Sequence, residues 1–196
     1  MTYLLLALLT AMPPNIYIET YDMDFPTYGE VLQEAIHNCR GVNPEDVDIE
    51  LLKSLIEVEK EFNVPPEFKG MILAAACQES KYNPKARGDR KFSKNKKTPM
   101  AIGILQMWPI YKKMFPGLDR TNPVESARAW MKHIVRQIPK VKKQCKYRTD
   151  LKIWLAAWVT GIRYKKPGGR CREVPNHHRT LKRWHRNIKL KRDNGC

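Results

Sequence analysis

The ten residues from Met71 to Ser80, MILAAACQES, leave few options for folding. The first seven are apolar, and the run ends on Gln78-Glu79-Ser80. Ile72, Ala75, Ala76 and Glu79 fall at i, i+3, i+4 and i+7, which predicts a buried helix with all four on one face. That face is apolar except for the Glu79 carboxyl. Asn83-Pro84 predicts the stop, because proline drives the residue before it out of helical conformation. Glu79 is thereby set in the last turn, where the negative end of the helix dipole disfavours another negative charge. An apolar wall and the dipole both favour the protonated acid. A carboxyl that keeps its proton can serve as a general acid. The alternative is a solvated helix-end glutamate, the usual state of an arbitrary Glu.

Two motifs carry a resemblance. Glu79-Ser80-Lys81-Tyr82-Asn83-Pro84-Lys85-Ala86 resembles the Glu-Ser-x-aromatic-Asn-Pro-x-Ala signature of lytic transglycosylases of the SLT family. Ala101-Ile102-Gly103-Ile104-Leu105-Gln106 resembles that family's Ala-x-Gly-Leu-Met-Gln signature, in the same order. The resemblance spans about Leu51 to Gly161. It implies a mostly α, lysozyme-like (SLT-type) helical domain. It implies cleavage of the β-1,4 bond between N-acetylmuramic acid and N-acetylglucosamine in peptidoglycan, with a 1,6-anhydro product. Glu79 is the implied catalytic residue, first acid and then base. Ser80 and Gln106 are implied to position the acid and the sugar, and Tyr82 to support the loop. Gly103, Ile104 and Leu105 are implied to line the groove. A third stretch, Leu155 to Gly161, resembles the family's Ala-Ala-Tyr-Asn-Ala-Gly motif, with Trp158 for Tyr and Val159 for Asn. Its position puts Trp158 among the substrate-binding residues. The family tyrosine hydroxyl lies near the acid, whereas an indole donates but does not accept. How Glu79 is oriented is therefore the point at which this chain departs from the family, and Trp158→Tyr is expected to leave activity equal or higher.

Charge divides the chain. Residues 1–70 hold 13 acidic and 4 basic side chains, and residues 71–196 hold 7 acidic and 32 basic, within a total of +16. An acidic front and a basic body suit a polyanionic partner such as cell wall, lipopolysaccharide or nucleic acid. The loop Gly88–Pro99 carries Arg90, Lys91, Lys94, Lys96 and Lys97, and reads equally as a solubilising loop or a polymer contact. Trp108 and Tyr111 read as core aromatics or as flat surfaces for sugar rings.

At 196 residues the chain holds one domain plus extensions. Residues 1–42 read as an apolar segment, an acidic linker and a short helix over Thr27–Asn38. The apolar run Thr2–Met12 is too short to span a bilayer. It reads as a signal-peptide core lacking a basic start, a packed helix or a docking peptide. Residues 43–165 form the expected catalytic domain. Its first helix starts at Pro44 behind the cap Asn43 and runs to about Phe62, its acids taken as a solvated face. Later helices are expected over Pro123–Ile138 and Leu151–Val159. Residues 166–196 read as a basic extension ending in a cationic amphipathic helix with Leu181, Trp184 and Ile188. Removing it is expected to weaken wall binding more than turnover. His177-His178 and His185 are too loosely placed for a metal site, and no cofactor is expected. Of five cysteines, Cys77 reads as a buried free thiol, while Cys145 and Cys171 are able to pair if the protein is exported.

The expected partners are peptidoglycan glycan strands, anionic envelope polymers through the basic tail and, less favoured, nucleic acid. The expected setting is a virion-associated or exported protein acting on the periplasmic wall layer, phage-encoded rather than bacterial. Two rivals stand beside this reading. One is a goose-type lysozyme, which would hydrolyse the same bond with Asp89 or another acid directing water. The other is a virion or DNA-associated protein that uses a degenerate transglycosylase scaffold.

Overall fold

Helix-forming stretches joined by turns give a mostly α-helical fold over the described residues. The structure, a computed structural model, describes residues 25–92, 98–145, 149–163 and 175–195. Its helices are α1 (Tyr28–Asn38), α2 (Ile49–Lys60), α3 (Met71–Ser80), α4 (Ile110–Met114), α5 (Pro123–Cys145), α6 (Asp150–Arg163) and α7 (Asn176–Asp193). Two short strands, β1 (Arg87–Gly88) and β2 (Ala101–Ile102), pair antiparallel. The apolar segment Thr2–Met12 and the paired-cysteine expectation for Cys171 lie outside the described residues. No helix among the described residues is long and apolar enough to cross a membrane.

The start of α2 differs from expectation. Asn43 and Pro44 open only a 3-10 turn over Pro44–Asp46, and Val47 is extended. Asp48 supplies the cap instead, its side chain accepting from the Leu51 amide at 2.9 Å. A second cap so close to the first restarts the helix at Ile49. The helix predicted to stop at Ile138 passes Pro139 and continues to Cys145, keeping Val141 buried.

α3 is the centre of the core. All seven residues from Met71 to Cys77 are buried, so the helix is enclosed on every side and not along one face. Its N-terminus has no side-chain cap of its own, because Gly70 stands there with φ +88°. A Cβ at Gly70 would lie 2.2 Å from Val31 Cγ1. Glu59 of α2 fills the role from a distance. Its two oxygens accept from the Gly70 amide at 2.6 Å and the Ile72 amide at 2.9 Å. Glu59 is thus a buried cap and not part of a solvated face. Burial pushes its carboxyl up to about 7, against the backbone donors that favour the charge.

Two further expectations fail on packing. Cys77 is no free thiol: it is disulfide-bonded to Cys39 at the end of α1. Cys145 is disulfide-bonded as well. Nor are α1 and α7 extensions to a domain bounded at 43 and 165. Val31 and Ala35 of α1, and Leu181, Trp184 and Ile188 of α7, belong to the same buried cluster as α3. The amphipathic pattern of α7 therefore marks a core-facing stripe. Removing the residues after Arg172 would strip that stripe from the core, so truncation is not a clean test of wall binding.

Acidic α1 and basic α7 are also joined by charge. Glu34, almost wholly buried, meets Lys191 and accepts from Asn187 at 3.1 Å. Glu30 receives two bonds from Arg192, and these hold its carboxyl down at about 2.

Candidate active site

The acid stands where α3 leaves the core. Gln78 is exposed, and the Glu79 side chain is about one-third exposed. The chain then turns through two left-handed residues, Lys81 at φ +58° and Tyr82 at φ +62°. Such conformations cost about 1–2 kcal/mol each for residues with a Cβ. The Tyr82 ring is buried and its hydroxyl donates to the Ala35 carbonyl at 3.1 Å, which holds the turn in place. Asn83 adds an Asx turn, accepting from the Lys85 amide at 2.8 Å.

The second motif forms a tight loop against this turn. Ile102 and Met107 exchange backbone hydrogen bonds across it. Gly103 donates to the Ala86 carbonyl at 2.9 Å with φ +82°. A Cβ there would lie 2.1 Å from the Arg120 carbonyl oxygen, so only glycine fits. Ser80 donates to the Ile104 carbonyl at 2.8 Å and so ties the end of α3 to the loop. The side chain of Gln106 donates to the Gly103 carbonyl at 2.9 Å. Arg120 clamps the loop from behind, donating to the carbonyls of Met100 at 3.0 Å and Met107 at 2.8 Å.

A cleft of about 160 Å³ opens beside Glu79. Its polar lining is Glu79, Asp89, Gln106 and His177, and its aromatic lining is Trp108, Tyr111 and Trp130. Asp89 follows β1 at φ +55°, and its carboxylate accepts from Trp108 Nε1 at 3.0 Å. It is held by the hairpin and an indole, not adrift in the basic loop. His177, at the start of α7, places Nε2 2.7 Å from Glu79 Oε1.

Of the residues expected at the site, Glu79, Leu105 and Gln106 line the cleft together. Ser80, Tyr82, Gly103 and Ile104 build the support behind them. The Ile104 and Tyr82 side chains are buried, so neither presents a side chain to a ligand. Trp158 is wholly buried and its Nε1 has no hydrogen-bond partner. Its ring packs against Phe68, Trp130, His177 and His178, with centroids 6.1–6.2 Å apart. It therefore backs the cleft. A tyrosine there would leave space in this packing and bring a hydroxyl that needs a partner, which removes the ground for expecting Trp158→Tyr to be harmless.

Sequence reasoning missed His177 and Arg120 and named Asp89 only for the rival reading. Nothing local announces His177, which lies 98 residues from Glu79. The three histidines of the C-terminal region point to different places. His178 packs on Phe68 and Trp158 and is pushed down to about 4 by burial, with Lys182 and His185 adding to the shift. His185 meets the Lys69 carbonyl at 2.9 Å. Among the described residues no group of three or more His, Cys, Asp or Glu is placed to hold a metal ion.

Chemically, the cleft offers one carboxyl at the open end of a rigid helix, an imidazole on it, a second fixed carboxyl and aromatic faces. No family model matches the chain, and neither does any curated protein sequence or solved structure.

Proposed function

We propose that the protein is a peptidoglycan lytic transglycosylase with a lysozyme-like arrangement of helices. The observation that carries the reading is the placement of Glu79. It is the only ionisable group on a helix whose first seven residues are sealed in the core, and it faces a cleft walled by aromatic rings. The two motifs that resemble the SLT family meet through the Ser80–Ile104 hydrogen bond. The mostly α fold is compatible with this reading.

In the reaction Glu79, as the neutral acid, protonates the glycosidic oxygen as its bond to the sugar carbon breaks. The acetamido oxygen of the same sugar stabilises the carbon. The 6-hydroxyl of the muramic acid then attacks that carbon and gives its proton to the Glu79 carboxylate. The 1,6-anhydro ring closes, the acid is regenerated and no water is consumed. Trp108, half-buried at the cleft, offers its ring to a sugar, with the buried rings of Tyr111 and Trp130 behind the wall, and Gln106 offers an amide to the sugar's polar groups.

The disulfides support a protein that works in an oxidising compartment, as an exported or virion-borne enzyme meeting the periplasmic wall would. Hydrolysis is the second reading, and Asp89 favours it. A carboxylate lining the same cleft and held by Trp108 is a base able to direct water.

Zymography on peptidoglycan tests the assignment. Wild type is expected to clear the wall and Glu79→Gln to leave it intact with the fold preserved. Clearing by the variant at more than about one-hundredth of the wild-type rate contradicts it, since general acid catalysis contributes roughly 10²–10⁴-fold.

A further inference from the structure

We propose that His177 is a positioning residue that decides which oxygen of Glu79 carries the transferable proton; the inference rests on the functional reading above. Nε2 of His177 lies 2.7 Å from Glu79 Oε1, and the imidazole side chain is only 8% exposed. Its other nitrogen, Nδ1, is buried and has no hydrogen-bond partner. A proton on Nδ1 would be a buried donor left unmatched. The neutral ring therefore carries its proton on Nε2 and donates to Oε1. Oε1 accepts that bond as the carbonyl oxygen of the neutral acid and, more strongly, as one oxygen of the carboxylate that forms when the proton leaves. The proton that leaves for the glycosidic oxygen, and the one returned by the sugar hydroxyl, are then confined to Oε2.

The ring is held well enough for this task. His177 sits one turn before Leu181, which is wholly buried, as is Trp184. Gln78, the residue before Glu79, donates to the side chain of Thr180, so α7 is tied to α3 beside the acid. The Trp158 ring lies 6.1 Å from the imidazole at a tilt of 32° and limits its rotation. Glu79 itself stands at a partly exposed helix end, where without a partner its two oxygens would exchange by simple rotation. Fixing one of them removes half of the unproductive orientations and the motion between them.

Two measurements test the inference. The first is ¹⁵N NMR of the histidine rings at neutral pH, which distinguishes the tautomers. Wild type is expected to show His177 as the single Nε2–H form, and Glu79→Ala to show a mixture. The second is turnover on glycan strands. His177→Phe keeps a ring in the packing, removes the orphaned Nδ1 and removes the donor. It is expected to lower kcat by roughly ten- to a hundredfold, the loss of one hydrogen bond to a charged group, with little change in KM. Its thermal stability should equal or exceed wild type, and His177→Gln, which restores an Nε donor, should recover part of kcat. A mixture of tautomers in wild type, or a His177→Phe enzyme that keeps kcat, overturns the inference. Inert wild-type protein with a single Nε2–H tautomer would instead overturn the functional reading.

Discussion

Glu79 and Glu59 show how position sets what a carboxyl does. One lies at the open C-terminal end of α3 and faces a cleft, and the other is sealed against the same helix's N-terminus. Glu59 is pushed up to about 7 from an ordinary 4.5, so the folded protein binds a proton there that the unfolded chain releases. The contribution of this group to stability is full below about pH 4.5 and is lost as pH rises through 7. Thermal unfolding of wild type and Glu59→Gln across that window should show the wild-type advantage shrinking with rising pH. A comparison of the two proteins is needed, because His133 and His178, pushed down to about 4 by burial, act in the opposite sense. At pH 5 the variant is expected to be less stable by about 1–3 kcal/mol, the cost of leaving a buried backbone donor unmatched. An advantage that does not change with pH contradicts the assignment. The place of Glu79 in the last turn of α3 was legible in the sequence, because the apolar run before it and Asn83-Pro84 after it are neighbours along the chain. Glu59 and His177 were not, because each acts on a residue far away in sequence and no local pattern marks either.

At the scale of elements, α3 is fixed at both ends by other parts of the chain. Glu59 caps its start, and Ser80 and the Tyr82 turn hold its end. The Cys39–Cys77 bond adds a covalent tie from α1, closing a loop with a sequence separation of 38. A loop of that length corresponds to about 4 kcal/mol of chain entropy. Replacing both cysteines with alanine should lower unfolding free energy by about 2–4 kcal/mol, measured by denaturant titration. A change below about 0.5 kcal/mol, the ordinary scatter of surface substitutions, would show that the bond does not constrain α3. The period of α3, α5 and α6 was readable because an apolar run or stripe spells out a helix. The standing of α7 was not. A stripe of Leu181, Trp184 and Ile188 on a cationic helix looks the same whether it meets a core or a foreign surface. Only the partners on α1 and α3 settle which. Likewise two competing caps, Asn43 and Asp48, each spell a plausible helix start, and the backbone between them decides.

Across the whole molecule, part of the charge separation seen in the sequence is used internally, where α1 and α7 pair. Among the exposed cations left for a polyanion, besides those along α5, are four on the outer face of α7. Arg179, Lys182, Arg186 and Lys189 are exposed and lie at i, i+3, i+7 and i+10. Changing these four to glutamine should reduce retention on isolated cell walls at low salt and leave turnover of soluble fragments unchanged. The difference from wild type should fade as salt rises from about 50 to 200 mM and the Debye length shortens. Equal retention at every salt concentration would remove α7 as the wall contact. The central claim is that Glu79 drives intramolecular ring closure in a glycan strand, and the identity of the product tests it most directly. Mass spectrometry of purified peptidoglycan digested by the wild-type protein is expected to show glycan ends in the 1,6-anhydro form, lighter by one water than reducing ends, with none formed by Glu79→Gln. Predominantly reducing ends, lost in Asp89→Asn, would contradict the claim and make the protein a hydrolase that uses both carboxyls of the cleft.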